Sequence, residues 1–109
     1  MTEISKETEE KIQQLQMMEQ NMQNFLSQKQ TFQVQLVEIT SALEELEKVE
    51  KAYKIVGNII IQEDSKKLQE DLNQKREIAE LRIKNIEKQE DKIKKKAAEL
   101  QADVLKEMK

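Results

Sequence analysis

A single glycine and no proline in 109 residues leave this chain one place at which it is built to turn sharply, Gly57. Around it runs Tyr53-Lys54-Ile55-Val56-Gly57-Asn58-Ile59-Ile60-Ile61-Gln62, a β-branched stretch split by Gly-Asn. The pattern predicts two short strands joined by a two-residue primed turn, with Gly57 supplying the positive φ that such a turn requires. Pairing across the turn sets Val56 opposite Ile59 and Ile55 opposite Ile60, so the ribbon is apolar on both faces. A lone two-stranded ribbon is marginal in water, and its two open edges invite further pairing. Tyr53, Ile55, Val56, Gly57, Ile59, Ile60 and Ile61 are therefore expected to form an interface between subunits, in an obligate oligomer.

The arms on either side of the turn are highly charged. With 38% charged and 3% aromatic residues there is too little apolar volume for a globular core of ordinary shape, and an elongated protein is expected. High charge also marks disordered chains, but Gln, Glu, Lys and Leu at regular helical spacing without proline are the composition of a coiled coil. Residues 1 to 52 carry five basic against ten acidic side chains, and residues 53 to 109 carry fourteen against twelve, so the arms complement one another electrostatically. The absence of cysteine excludes a disulfide framework and fits a reducing compartment, while the absence of histidine removes the commonest metal ligand and general base. Met1-Thr2-Glu3-Ile4 contains an acid and no apolar core, so no signal peptide is expected. The longest apolar run is Ile59 to Ile61, so neither a membrane span nor a membrane partner is expected, and a cytoplasmic location is.

In the first arm, steps of three and four pass through Leu15, Met18, Met22, Phe25, Lys29, Phe32, Leu36, Ile39, Leu43 and Leu46; in the second they pass through Leu72, Arg76, Ala79, Ile83, Ile86, Glu90, Ile93, Ala97, Leu100 and Val104. These are sustained a and d positions of a coiled coil. The fold expected is mainly α, a long antiparallel helical coiled coil with one β-hairpin at its elbow. It forms a single domain over 1–109, with the first helix in 1–52, the hairpin in 53–62 and the second helix in 65–109. Asp64 or Ser65 is positioned to cap the second helix. At 1.5 Å rise per residue each arm would be about 65–70 Å long. An alignment in which paired residue numbers sum to 115 matches large with small, Met18 with Ala97 and Leu36 with Ala79. It places the two charged seam residues, Lys29 and Glu90, in adjacent layers. Either their stems snorkel to water or they meet and fix the register.

Nothing in the chain has the spacing of a catalytic or cofactor site. Acidic neighbours such as Glu9-Glu10, Glu44-Glu45 and Glu90-Asp91 point about 100° apart on a helix and cannot converge on one ion. No phosphate cradle, activated nucleophile or metal motif is present, so neither enzyme activity nor a cofactor nor a bound metal is expected. Lys92, Lys94, Lys95 and Lys96 form one basic cluster, but Glu87, Glu90, Asp91 and Glu99 flank it and no aromatic is interleaved for base stacking. A solvated, ion-paired face accounts for it better than a nucleic-acid partner.

Three segments resemble the β-class subunit of prefoldin, the archaeal and eukaryotic co-chaperone. They are Gln28-Lys29-Gln30 through Ala42-Leu43-Glu44-Glu45-Leu46, the hairpin Tyr53-Lys54-Ile55-Val56-Gly57-Asn58-Ile59-Ile60-Ile61, and Arg82-Ile83-Lys84-Asn85-Ile86-Glu87-Lys88-Gln89-Glu90. The Tyr-Lys-x-x-Gly hairpin between two such helices is the specific part, and a single hairpin is similar to the β class where the α class carries two. The resemblance implies a hexamer of two α-class and four β-class subunits whose hairpins join in an intersubunit β-barrel. It further implies an ATP-independent holdase that grips unfolded client proteins at its coiled-coil tips and delivers them to a group II chaperonin.

Under that reading the arm tips bind substrate. Ile4, Ile12, Met17, Met18 and Met22 cluster in one arm and Val104, Leu105 and Met108 in the other, at the same end in the proposed alignment. Met17 and Leu105 fall outside the seam, and methionine adapts to varied apolar partners. Met18, Met22 and Val104 are equally explained as seam residues, and scattered exposed apolar side chains are common. The alternative function, from periodicity alone, is a structural coiled-coil tether or assembly scaffold without client-holding activity. The two-faced apolar hairpin separates the readings, since a tether gains nothing from it.

Overall fold

The computed structural model describes residues 5–108. Helix α1 (Lys6–Leu46) leads into strands β1 (Lys51–Val56) and β2 (Ile59–Asp64), and helix α2 (Ser65–Glu107) follows directly. The fold is therefore mainly helical, with two long helices joined through one hairpin. It divides into two compact units, residues 30–83 and residues up to 29 together with those from 84 onward.

In the unit carrying the hairpin, β1 and β2 pair antiparallel from Lys51 with Asp64 to Val56 with Ile59, each pair summing to 115. Gly57 has φ of 59°, and no non-glycine among the described residues has a positive φ. Positive φ at the first central residue alone is the signature of a type II′ turn, whose twist matches the strands it joins. A side chain at Gly57 would meet open space, so the requirement for glycine there is conformational and not steric.

The strands begin and end farther out than the expected 53–62, and α1 stops at Leu46 instead of continuing to 52. The reason lies at the junction with α2. Leu46 O accepts hydrogen bonds from Ser65 Oγ, from Gln69 Nε2 at 3.2 Å and from Val49 N at 3.4 Å. Ser65 N donates to Glu50 O at 2.9 Å, while Lys51 begins the ladder. Side chains of α2 thus satisfy the carbonyl end of α1 in the absence of a terminating glycine. Ser65, expected as a candidate cap of α2, instead directs its hydroxyl to α1, and it is buried together with Leu46. In the same unit Arg82 lies over the Phe32 ring, 5.5 Å from its centroid, and Ala79 is 3% exposed.

In the second unit the helices are again antiparallel. Thr8 reaches Glu107, Lys11 reaches Asp103 and Glu107, and Lys29 meets Glu90. Each seam position named from the sequence is buried or half-buried, including Ile86 and Val104, whereas Leu26, Val34, Val37, Ile78 and Leu81 lie off the seam and are exposed. Period 3.5 therefore decides which apolar side chains find a partner helix.

The Lys29 Nζ to Glu90 Oε1 distance is 2.8 Å, and Glu90 is only 7% exposed. Of the two readings open for these residues, the structure selects the pair that meets within the seam. Its hydrogen bond to Glu90 is the main cause that raises the Lys29 pKa above its ordinary value. Removing one partner leaves a charge in an apolar layer, while removing both does not. Lys29→Leu or Glu90→Leu alone should lower the thermal midpoint followed by circular dichroism. Lys29→Leu with Glu90→Leu should recover most of the loss or exceed the parent. Additive losses in the double variant would contradict this account.

Candidate functional site

The hairpin presents two apolar faces. Alternation puts Tyr53, Ile55 and Ile60 on one face and Val56, Ile59 and Ile61 on the other, as the ladder pairs dictate. Within the single chain these six side chains are 44% to 75% exposed. Residues of β1 also line a groove with the helices, bounded by Ala42, Leu46, Tyr53, Ile55, Leu72 and Ile78. Apolar exposure this concentrated is uncommon on a monomeric soluble protein.

One carboxylate anchors the hairpin to α2. Glu63 Oε1 lies 3.1 Å from Lys67 Nζ, and Glu63 Oε2 lies 3.5 Å from Lys54 Nζ. One side chain of β2 is thereby held by both β1 and the first turns of α2. The hydrogen bond from Lys67 is the leading cause of a Glu63 pKa below the ordinary carboxylate value, with Lys54 adding to it. Reciprocally, Glu63 raises the Lys67 pKa. A lowered carboxylate pKa stabilises the fold above its unfolded value, about 4.3, and that contribution is lost as pH falls through the folded value. The raised Lys67 pKa acts at the opposite extreme, its contribution being lost only as pH rises beyond the ordinary lysine range. The stability difference between the parent and Glu63→Gln should accordingly be constant from pH 6 to 8, begin to shrink as pH falls past about 4.3, and vanish once pH has fallen through the lower folded value. Thermal melts across pH check this, and a difference that persists at low pH would contradict it.

The tip residues separate into two classes. Met17, Leu105 and Met108 are 54% to 64% exposed. Met18 and Met22 are half-buried in the seam, Ile12 is half-buried beside it, and Val104 is buried. Ile4 lies outside the described residues. Val104 and Ile12 lie within one helical turn, along the chain, of polar side chains that join the two helices, while Met17 and Leu105 are exposed.

Sequence reasoning missed that polar set. Ser5 Oγ accepts from Thr8 N at 3.1 Å, which is the side-chain cap of α1, and the two hydroxyl oxygens are 2.8 Å apart. Thr8, 2% exposed, donates to Glu107, and Lys11 Nζ lies 3.0 Å from Glu107 Oε1 and 3.9 Å from Asp103 Oδ2. Glu107 is the leading cause of a raised Lys11 pKa. Ser5 before a helical run is a readable cap signal, but the contact between Thr8 and Glu107 needs the register first.

The prefoldin subunit family model matches residues 9–109. The chain belongs to the prefoldin subunit family. The crystal structure of the prefoldin beta subunit from Thermococcus strain KS-1 aligns with a TM-score of 0.87 at 33% identity, covering 95% of this chain and 94% of that one. The prefoldin subunit beta of Saccharolobus islandicus is 38% identical over 52 residues, 48% of this chain and 41% of that protein. That of Archaeoglobus fulgidus is 41% identical over 49 residues, 45% of this chain and 42% of that protein. The matched stretch thus spans less than half the length of these curated prefoldin relatives. Their common class, with the single hairpin, puts the chain in the β class of the prefoldins. No helix among the described residues is long and apolar enough to cross a membrane, and no group of acidic side chains among them converges as a metal site would require.

Proposed function

We propose that this chain is a subunit of an ATP-independent molecular chaperone of the prefoldin type. It assembles through its hairpin with an α-class partner, two α-class with four β-class subunits. Its coiled-coil tips hold unfolded polypeptides and deliver them to a group II chaperonin. The observation that carries the reading is the hairpin. Its six large apolar side chains are exposed on both faces of a ribbon too small to be stable alone, and the groove beside it is lined by apolar side chains with charged ones, Glu45, Asp71 and Lys75, among them. Such a ribbon suits an intersubunit barrel and is a liability on a tether. At the tips, Met17, Leu105 and Met108 offer adaptable apolar contacts suited to many different chains.

Holding is the property to measure. The assembled complex should suppress aggregation of a chemically denatured test protein without nucleotide, in proportion to its concentration. A complex that assembles yet leaves aggregation unchanged would favour the scaffold reading.

A further inference from the structure

Among the described residues, polar contacts tie the start of α1 to the end of α2. Thr8 sits in the first turn of α1, where free amide groups make the helix end positive, and it holds a carboxylate, Glu107, against that end. Lys11, one turn on, pairs with the same carboxylate and with Asp103. Glu107 is also the last residue of α2, where a negative charge opposes the helix's own dipole, so the partners on α1 are what make its position favourable. Within one helical turn of these residues lie Ile12, half-buried, and Val104, 9% exposed.

We propose that the Thr8, Lys11, Asp103 and Glu107 clasp gates a concealed apolar surface, Ile12 with Val104, which an unfolded chain reaches only when the tip opens. The inference rests on the holdase reading above and adds to it a second, hidden part of the client surface. Met17, Leu105 and Met108 are available with the clasp closed, and Ile12 and Val104 only with it open. The ion pairs of the clasp are partly exposed, with side chains 26% to 51% open to solvent, and pairs that water reaches are individually weak and are weakened further by salt. The closed tip is therefore poised near opening, and a client that binds the uncovered seam shifts the population toward the open form.

Two variants of the full-length chain, each assembled in its complex, test the gate. Glu107→Ala removes the acceptor shared by Thr8 and Lys11. Holding of a denatured test protein should then need roughly two- to fivefold less complex at low salt, the population factor of a surface pair of this strength. That gain should shrink at high salt. No gain, with helicity unchanged, overturns the gate.

The double variant Thr8→Cys with Glu107→Cys opens the tip when reduced and locks it when oxidised, since bridged Cα atoms lie within about 7 Å. Oxidation should cut holding and reduction should restore it, with bridge formation read by thiol titration. An oxidised complex that holds as well as the reduced one, or cysteines that fail to bridge, likewise overturns the gate. The holdase reading falls separately, if the intact complex assembles yet leaves aggregation of the test protein unchanged.

Discussion

Placing aspartate at Ile59 and Ile61 together is expected to abolish assembly while leaving a helical chain. Within the single chain these residues are 64% and 44% exposed, so the change removes little packing that the chain makes with itself. At a subunit interface each fully buried aliphatic side chain contributes about 1.5–3 kcal/mol, against a cost of about 4–15 kcal/mol for lost freedom on association. Losing two of the five aliphatic side chains removes about 3–6 kcal/mol of that contribution, and burying two carboxylates in their place adds a desolvation penalty that an apolar interface cannot offset. Both are on the face that carries Val56, so the damage falls on one side of the ribbon. Light scattering should report a smaller species with an unchanged far-ultraviolet helical signal. An oligomer of unchanged mass would show that the helices, and not the hairpin, drive association.

Deleting residues 1–12 together with 100–109 should have the opposite profile, abolishing the holding of unfolded chains while sparing assembly. The deletion removes Ile4, Ile12, Val104, Leu105 and Met108 together with the whole clasp, and none of the hairpin. A flexible client held at several tips is held by many weak contacts whose effective concentrations multiply, so shortening all of them removes far more than any single side chain contributes. The same logic makes Met17→Ser with Leu105→Ser a milder change, a weakening of holding with the coil intact, since both lie off the seam. Aggregation suppression at fixed complex concentration reads both. Full retention by the deleted form would put the client surface elsewhere, the groove beside Tyr53 and Ile55 being the next apolar face.

Elements set by a repeating pattern are legible in the sequence. Ten seam positions in each arm could be named because a coiled coil demands apolar side chains every 3.5 residues, and Gly57 marked the turn because its φ of 59° suits no other residue as well. The end of α1 was not legible in the same way. Glu47-Lys48-Val49-Glu50-Lys51-Ala52 has no glycine or proline, and its local propensity allows a helix to 52. The one available signal was that Glu50, the next seam position after Leu46, breaks the apolar period. What stops the helix is tertiary, the hydroxyl of Ser65 and the amide of Gln69 on Leu46 O. The clasp was hidden for a related reason. Thr8 and Glu107 belong to no apolar pattern, and their meeting depends on the register of two long helices.

The central claim is that the hairpin is the assembly element of a β-class prefoldin subunit. Native mass measurement of the chain with and without an α-class prefoldin subunit tests it most directly. The account predicts that four copies of this chain join two copies of the α-class subunit in one stable particle, and that Ile59→Asp with Ile61→Asp removes that particle from the spectrum. Finding the intact chain still separate from the α-class subunit at micromolar concentration, with its hairpin unburied, would contradict it.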